Sequence, residues 1–222
     1  MTATATRWSG SATRLPVRDL IARLLDGDVG GAGALTDRVL EQTASRTAVF
    51  ADLLHPAQAE IADLWYAGRI GVADEVRAAA AVRRIVGRLA PTPVDRPVAR
   101  GSRCVLAVPH RDPHDLGLLM LTLALQDHGW STEVLGPVSG LADVADVVLS
   151  RRPRLFGLSA GHLPPLQQVE RTIAAIKRAG VPVLVGGAAF IRRPDLWRRV
   201  GADGLGTDVR IGVVLAQRLC GR

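Results

Sequence analysis

The second half of the chain alternates between short apolar runs and longer segments with apolar residues at helical spacing. The runs are rich in Val and Leu, which is typical of strands that are buried on both faces of a parallel sheet. Alternation of this kind predicts an α/β fold with helices covering the sheet. The predicted strands are 104–108, 131–135, 155–159, 181–185 and 204–205, and the predicted helices are 115–128, 141–150, 165–179, 193–200 and 211–220.

Five such strands predict a five-stranded parallel sheet with the flavodoxin-like order 2-1-3-4-5. In that order the loops after the first, third and fourth strands meet at one edge of the sheet. Open α/β sheets bind ligands outside the carboxyl ends of their strands. We therefore expect a ligand site on these three loops.

The first half of the chain has a different pattern. Apolar residues at spacings of three and four predict four amphipathic helices with short connections, which favour a four-helix bundle before the α/β fold. The predicted helices run from residue 16 to 25, 34 to 45, 48 to 66 (with a kink or a restart at Pro56) and 72 to 89. A proline-rich linker follows, and the predicted division is 1–14 disordered N-terminus, 15–90 bundle, 91–101 linker and 102–222 Rossmann-like domain.

Composition narrows the classes of function. The formal net charge of +7 comes almost entirely from arginine, since Lys177 is the only lysine. The arginines are scattered and are not interleaved with aromatic residues, so direct nucleic-acid binding is not expected. Cys104 and Cys220 lie far apart in the sequence, and no secretory signal or membrane span is evident, so we predict a cytoplasmic protein without a disulfide.

The loop after the first strand contains the sequence Asp-Pro-His-Asp-Leu-Gly at 112–117. Asp112 is well placed to hold one nitrogen of the His114 ring, which would leave the other nitrogen free for a metal. Gly117, where the next helix begins, would let a flat ligand approach the backbone. Taken alone, His114 would more simply be a surface histidine.

Two further loops carry candidate residues. Ser159 ends the third strand and is followed by Gly161, and Gly186 and Gly187 end the fourth strand. An ordinary strand-to-helix turn would explain each of these features by itself. These residues indicate a ligand site only because they all lie at the predicted ligand edge of the sheet.

Together these residues resemble the signature of the cobalamin-binding domain family, which includes methionine synthase, base-off mutases, corrinoid methyltransferase subunits and cobalamin photoreceptors. The matching residues are Asp112, His114, Gly117, Ser159, Gly186 and Gly187. The resemblance implies that the histidine replaces dimethylbenzimidazole on cobalt, and that the serine and glycines line the slot for the displaced nucleotide tail. Gly161 departs from the family, which often has Leu or Thr there.

The first half resembles the helical cap that covers the upper face of the corrin in cobalamin photoreceptors. The motif of that cap is a Trp, then nine residues, then Glu-His. Trp65 and Glu75 keep this spacing, and the resemblance assigns them to the cap above the corrin. Tyr66 and Val76 stand where the photoreceptors have histidines. Bundle packing for Trp65 and a helix-start acid for Glu75 are the simpler alternatives. Further candidates for contact with the corrinoid are His110 and His162 on ligand-edge loops, and Arg192 and Arg193 after the Gly186–Gly187 turn.

Two functions of different class follow from the resemblance. One is a cobalamin-binding sensor or regulator that acts through a partner such as a transcription regulator. In one version of this function it binds adenosylcobalamin and responds to light. The alternative is a corrinoid shuttle protein for a methyltransferase, although the sequence after the histidine departs from Asp-Ile-Gly-Lys-Asn; storage of cobalamin is a weaker third option. Adenosylcobalamin is favoured over methyl- or hydroxocobalamin. An independent enzyme activity and a DNA-binding arm are not expected. The oligomeric state is not predicted, and a homo-oligomer is one of the alternatives.

Overall fold

The computed structural model describes residues 16–90, 103–109, 112, 114–135, 141–163 and 165–221, without the side chains of 141–143. The predicted disordered segment 1–14 and the predicted linker 91–101 lie outside these residues. The domain boundaries therefore stay predictions, and the description below concerns a helical N-terminal part and an α/β part that contact each other.

The N-terminal part consists of four helical rods, as the sequence pattern predicts. Their segments are α1 (Val17–Leu25), α2 (Val29–Thr43), a third rod made of α3 (Arg46–Val49), a π-helical segment (Phe50–Leu54) and α4 (His55–Tyr66), and α5 (Val72–Leu89). Apolar side chains from all four rods share one buried core.

The expected kink near Pro56 takes the form of the π-helical segment. Proline lacks an N–H, and its ring would collide with the carbonyl four residues earlier, at Asp52. The helix widens directly before the proline, so that the His55 N–H donates to the carbonyl of Phe50, five residues back. This wider turn lets the rod continue through the proline.

The second helix begins at Val29, earlier than the predicted start at residue 34. The side chain of Asp28 accepts a hydrogen bond of 2.8 Å from the Gly31 N–H and caps the helix. Glycine costs little in this first turn, and a side chain at 31 would collide with Asp28 and Arg23. The break between the first two helices therefore covers only residues 26–28, and Gly30 and Gly31 belong to the first turn of the second helix.

The α/β part contains a parallel sheet with the order β2-β1-β3-β4-β5, which confirms the predicted topology. The strands are β1 (Arg103–Ala107), β2 (Ser131–Leu135), β3 (Leu155–Ser159), β4 (Val183–Gly186) and β5 (Gly204–Gly206). The helices are α6 (Leu116–Asp127), α7 (Leu141–Arg151), α8 (Leu166–Arg178), α9 (Ala188–Ile191), α10 (Leu196–Arg199) and α11 (Val209–Leu219). The helix predicted around 193–200 is observed as the short helix α10, and a further short helix, α9, precedes it.

The two faces of the sheet have different coverings. One face packs on α7 and α8 and forms a core of its own. The other face packs on α6 and α11, and this core continues without interruption into the N-terminal helices. The N-terminal part is therefore attached to the α/β part by buried apolar contacts.

Arginine–aspartate pairs surround this contact between the two parts. Arg46 pairs with Asp127, Arg83 with Asp115, and Arg210 with Asp52. Cys104 and Cys220 are buried and are not joined in a disulfide. Burial, together with the neighbouring Cys220, raises the pKa of Cys104. Among the described residues, no helix combines the length and the apolarity that are needed to cross a membrane.

Candidate functional site

Asp112 lies at the centre of the predicted ligand edge, where the loops after β1 and β3 meet. Its side chain is only 2% exposed. Oδ1 accepts hydrogen bonds from the backbone N–H of His114 (3.0 Å), and it lies 2.7 Å from Nδ1 of the same residue. Oδ2 accepts from the N–H groups of Gly161 (2.6 Å) and His162 (3.1 Å). One carboxylate thus holds the two loops together.

Hydrogen bonds stabilise the ionised form of the Asp112 carboxyl group. Burial, the largest single effect, would raise its pKa, but the hydrogen bonds from His114, His162 and Gly161 together lower the pKa of the carboxyl. The ionised carboxylate accepts all of these bonds at once. It is therefore a strong partner for the ring N–H of His114.

His114 presents its second ring nitrogen to the outside. With Nδ1 held by Asp112, Nε2 is the free nitrogen, and it makes no hydrogen bond with any other residue that the structure describes. The side chain is 45% exposed. A carboxylate on one nitrogen and an open position at the other is the arrangement that metal-ligating histidines have.

Gly161 lies directly against this histidine. A Cβ atom at position 161 would come within 2.5 Å of His114 Cγ and 2.6 Å of Nδ1. No side chain fits between the loop and the ring, so glycine at 161 is required for the observed position of the imidazole. The departure from Leu or Thr that the sequence showed is thus coupled to the candidate metal ligand rather than only to the predicted tail slot.

Ser159, Gly186 and Gly187 lie together on the neighbouring strands. Ser159 is buried at the end of β3 and pairs in register with Gly186 of β4. Gly187 has a φ of +87°, and a Cβ there would lie 2.7 Å from the backbone nitrogen of Ala160. The backbones after β3 and β4 therefore approach each other more closely than side chains would allow.

The other two ligand-edge candidates have simpler surroundings. Gly117 is exposed in the first turn of α6, and a Cβ at this position would meet open space. His162 is exposed on the loop after β3, where its ring centroid is 4.9 Å from that of His114 at an angle of 54°. The sequence placed His162 at this edge but gave no sign that it lies beside His114, because the two are 48 residues apart.

The cap candidates lie on either side of the turn between α4 and α5. Trp65, in the last turn of α4, and Glu75, in the first turn of α5, are both half-buried. The ring centroid of Tyr66 is 4.8 Å from that of Trp65. Three apolar side chains of this region are more than half exposed, namely Tyr66 (54%), Val72 (61%) and Val76 (57%).

Arg192 connects this cap to the ligand edge. It follows the short helix α9, which begins directly after Gly187. Its guanidinium lies 4.2 Å from the centroid of the Tyr66 ring, and Nη2 is 3.5 Å from Asp63 Oδ1. The sequence made Arg192 a candidate for contact with the corrinoid. Its contact with the cap could not be predicted, because Arg192 and Tyr66 are far apart in the chain.

The donor set fits a cobalt corrinoid. The metal would be held by the free Nε2 of His114, and the turn at Gly187 adds no side chain to the neighbouring loop. A separate cleft of about 630 Å³ opens at the amino ends of the strands, lined by residues that include Arg154, Pro182 and Cys220. Ligand sites of open α/β sheets lie at the other end, so we assign no role to this cleft.

Comparison with known proteins places these features in a family. Residues 102–214 match a family model described as the B12 binding domain, and residues 17–90 match a second model with the same description. The HTH-type transcriptional repressor CarH of Myxococcus xanthus is 32% identical over 144 residues, which is 63% of this chain and 47% of that repressor. The match thus spans about half the length of CarH.

Two further relatives cover more of their own length. An uncharacterized 20.5 kDa protein from the bchF–crtJ intergenic region of Rhodobacter capsulatus is 24% identical over 160 residues, which is 70% of this chain and 83% of that protein. The monomethylamine corrinoid protein of Methanosarcina barkeri has the same fold, with a TM-score of 0.73 and 16% identity over 90% of this chain and 96% of that chain.

The first family model covers half of the chain, and its range contains the whole parallel sheet and the three ligand-edge loops. The second covers the four helical rods that pack against them. The chain belongs to the B12-binding domain family.

Proposed function

We propose that this protein is a cobalamin-binding sensor that holds the cofactor in the base-off form, with Nε2 of His114 as the lower axial ligand of cobalt. The observation that carries the proposal is the geometry at His114. A buried, ionised carboxylate holds one ring nitrogen, and the other nitrogen is exposed at the ligand edge of a B12-binding domain. Ser159, Gly186 and Gly187 would receive the nucleotide tail.

Each part of the chain has a separate task in this proposal. Asp112 keeps His114 in the tautomer that donates through Nε2, and Gly161 leaves the ring its space. Trp65 and Glu75 cover the upper face of the corrin. Adenosylcobalamin, the favoured form, supplies a cobalt–carbon bond that is sensitive to light, and the chain's own residues decide how a change at the cofactor reaches the surface.

Two ion pairs give such a change a route to the cap. Asp115 directly follows His114, and it pairs with Arg83 of α5. Arg192 follows the Gly186–Gly187 turn, and it contacts Asp63 and Tyr66 of α4. Both loops that would hold the corrinoid are thus tied to the N-terminal helices. A shift of either loop would change the position of the cap, which is the two-state element that a sensor needs.

A regulatory role is favoured by the 32% identity with the CarH repressor. We propose that the output goes through a protein partner, namely a transcription regulator, because the arginines of this chain form no aromatic-interleaved stripe for nucleic acid. The exposed apolar residues Val72 and Val76 lie on the cap, where a movement would alter the surface that a partner meets.

The cobalt ligand is tested by absorption spectra of the purified protein with hydroxocobalamin. We expect wild type to bind with the benzimidazole released from cobalt and a histidine in its place. His114→Ala should lose this spectrum, whereas His128→Ala should keep it, because His128 Nδ1 lies 2.8 Å from the carbonyl oxygen of Ala124 within α6, away from the loops. A wild-type complex that keeps the benzimidazole on cobalt would contradict the proposal.

The sensor role needs a second experiment. Adenosylcobalamin-loaded protein is compared in the dark and after green light, by spectrum and by size-exclusion chromatography. We expect both the spectrum and the hydrodynamic size to change. If neither quantity changes, the light-responsive version is wrong, and the cofactor-binding proposal is judged by the His114 spectra alone.

A corrinoid shuttle for a methyltransferase is the second candidate. It is favoured by the fold shared with the monomethylamine corrinoid protein over 90% of this chain. The sequence at 115–119 departs from the continuation that shuttle proteins have after the histidine. Stable methylation of cobalt in the presence of a methyl donor and its methyltransferase would favour the shuttle over the sensor.

A further inference from the structure

His162 is a second imidazole at the ligand edge to which the cobalamin proposal gives no task. Together with Asp112 and His114 it forms a compact group, in which one potential ligand atom from each residue lies within 4.8 Å of the others. The rings of His114 and His162 come from different loops, and their centroids are 4.9 Å apart at an angle of 54° between the ring planes. This arrangement resembles a pair of metal ligands more than it resembles two independent surface side chains.

We propose that, in the corrinoid-free protein, His114 and His162 bind one first-row divalent transition metal ion, such as Ni²⁺ or Zn²⁺. Asp112 supports both ligands without contacting the ion. The ion binding itself depends only on this geometry, whereas its displacement by cobalamin rests on the proposed function.

Asp112 fixes the backbone positions from which both imidazoles extend. Oδ1 binds the N–H of His114, and Oδ2 binds the N–H of His162. The two histidines are therefore anchored to the two oxygens of a single buried carboxylate. Little chain entropy would be lost on chelation, because the loops already have their relative position.

The kind of ion follows from the ligand atoms. Two neutral imidazole nitrogens suit Zn²⁺, Ni²⁺ and Cu²⁺, whereas Mg²⁺ and Ca²⁺ prefer carboxylate and carbonyl oxygens. The carboxylate of Asp112 already accepts hydrogen bonds on both oxygens, so its role is to hold Nδ1 of His114 and leave Nε2 for the ion. Both rings are exposed, so water completes the coordination.

The same nitrogen cannot serve two metals. When Nε2 of His114 donates to the cobalt of a corrinoid, only His162 is left for a second ion, and a single imidazole binds weakly. The site would thus distinguish the loaded from the unloaded protein. Metal ions would occupy His114 only until cobalamin is bound.

The experiment is calorimetric titration of Ni²⁺ into tag-free, corrinoid-free full-length protein that has been treated with a chelator. We expect one equivalent to bind to wild type. His162→Ala should weaken binding by more than the roughly 10- to 100-fold that loss of an outer partner of a ligand typically costs. His128→Ala is the matched control, since it removes an imidazole elsewhere and should leave the Ni²⁺ affinity unchanged.

Two further measurements decide between the outcomes. His162→Gln and thermal melting of each variant show whether a loss of binding reflects the ligand or the fold, because Gln keeps the size of the exposed side chain. Equal Ni²⁺ affinity of wild type and His162→Ala, with intact folds, would overturn the inference. Loading with cobalamin should abolish Ni²⁺ binding. Full Ni²⁺ binding to protein whose cobalamin spectrum shows the histidine ligand would also overturn the inference.

The experiments distinguish a failure of the metal-ion inference from a failure of the proposed cobalamin-binding function. Loss of the histidine-ligated cobalamin spectrum in wild type would contradict the cobalamin proposal but leave the Ni²⁺ titration valid. A normal cobalamin spectrum combined with His162-independent Ni²⁺ binding would contradict only the present inference.

Discussion

The two sides of the candidate site are built in opposite ways. On the lower side, Asp112 is buried and accepts hydrogen bonds from three neighbouring residues, and Gly161 and Gly187 bring backbones together at distances that exclude side chains. On the cap side, Tyr66 is 54% exposed, and it is reached by Arg192 through contacts that face solvent. The lower side is fixed by buried contacts, whereas the contact of Arg192 with Tyr66 on the cap side is exposed.

This difference indicates which side can move. Surface ion pairs and cation–π contacts contribute little because water competes for the charges. A buried carboxylate with several hydrogen bonds leaves unpaired groups behind when it is disturbed, so it resists rearrangement. We therefore expect the ligand for cobalt to be pre-organised. On the cap side we expect movement at the end of α4 around Tyr66, because the rest of the N-terminal helices shares a buried core with the α/β part.

The largest effect is expected at Gly187. Gly187→Ala combines a φ of +87° with a collision against the backbone of Ala160, and together these should lower the free energy of unfolding by roughly 2–5 kcal/mol. Denaturant unfolding measures the change. Gly180→Ala is the control, because Gly180 has a φ of +77° and open space around it, and it should lose only about 1–2 kcal/mol. Equal losses would mean that the close backbone approach is not rigid.

Asp112→Asn should have the next largest effect. The amide offers one acceptor oxygen in place of two, so the groups on one oxygen lose their partner: either the N–H groups of Gly161 and His162, or the backbone and ring nitrogens of His114. The cost in the free energy of unfolding should be about 2 kcal/mol. Asp37→Asn removes one side of an exposed pair with Arg88 and should stay within about 0.5 kcal/mol of wild type. Similar values for the two variants would refute the contrast between the sides.

Arg192→Ala tests the cap side directly. The free energy of unfolding should fall by less than about 1 kcal/mol, because the lost contacts are exposed. Hydrogen exchange at the end of α4, around Asp63 to Tyr66, should nevertheless become faster. Arg198→Ala removes another cation–π contact, 4.3 Å above Trp197, that does not reach the cap, and exchange in α4 should not change. Unchanged exchange in both variants would mean that Arg192 does not hold the cap.

The smallest effect is expected from His55, which begins α4. Burial, the largest cause, lowers the pKa of His55, and Asp208 opposes this shift. The unfolded chain then binds the proton more readily, so the stability contribution of neutral His55 is present above pH about 6.5 and is lost as the pH falls through the folded pKa. Unfolding of wild type and His55→Gln from pH 8 to 5 should show a shallower acid decline in the variant. Parallel curves would contradict the expected sign.

Local patterns were sufficient for most of the architecture. The strand runs, the helical spacings and the residues of the Asp112–Gly117 loop depend on neighbours along the chain, and the predicted order 2-1-3-4-5 is the observed one. The start of the second helix was predicted too late, because Asp28 caps a first turn that contains glycines. The interruption expected at Pro56 is observed, and its form, a π-helical segment, could not be predicted from spacing.

In the candidate site, the contacts that could not be predicted join residues far apart in the sequence. The sequence placed His114, Ser159, Gly186 and Gly187 on the right loops, since parallel strands bring their carboxyl ends to one edge. The roles of these residues in cofactor binding stay predictions. Position in the sequence could not reveal that Gly161 makes room for the His114 ring.

The sequence by itself determined the class of the fold, the edge of the sheet that carries the site and the kinds of residues present there, because periodicity and strand order are local or topological properties. Only the tertiary structure decided that Asp112 joins two loops, that His162 lies beside His114, and that Arg192 reaches across to Tyr66. These contacts join residues far apart in the chain, and their distances depend on how buried apolar faces pack. Spacing along a sequence does not encode such distances.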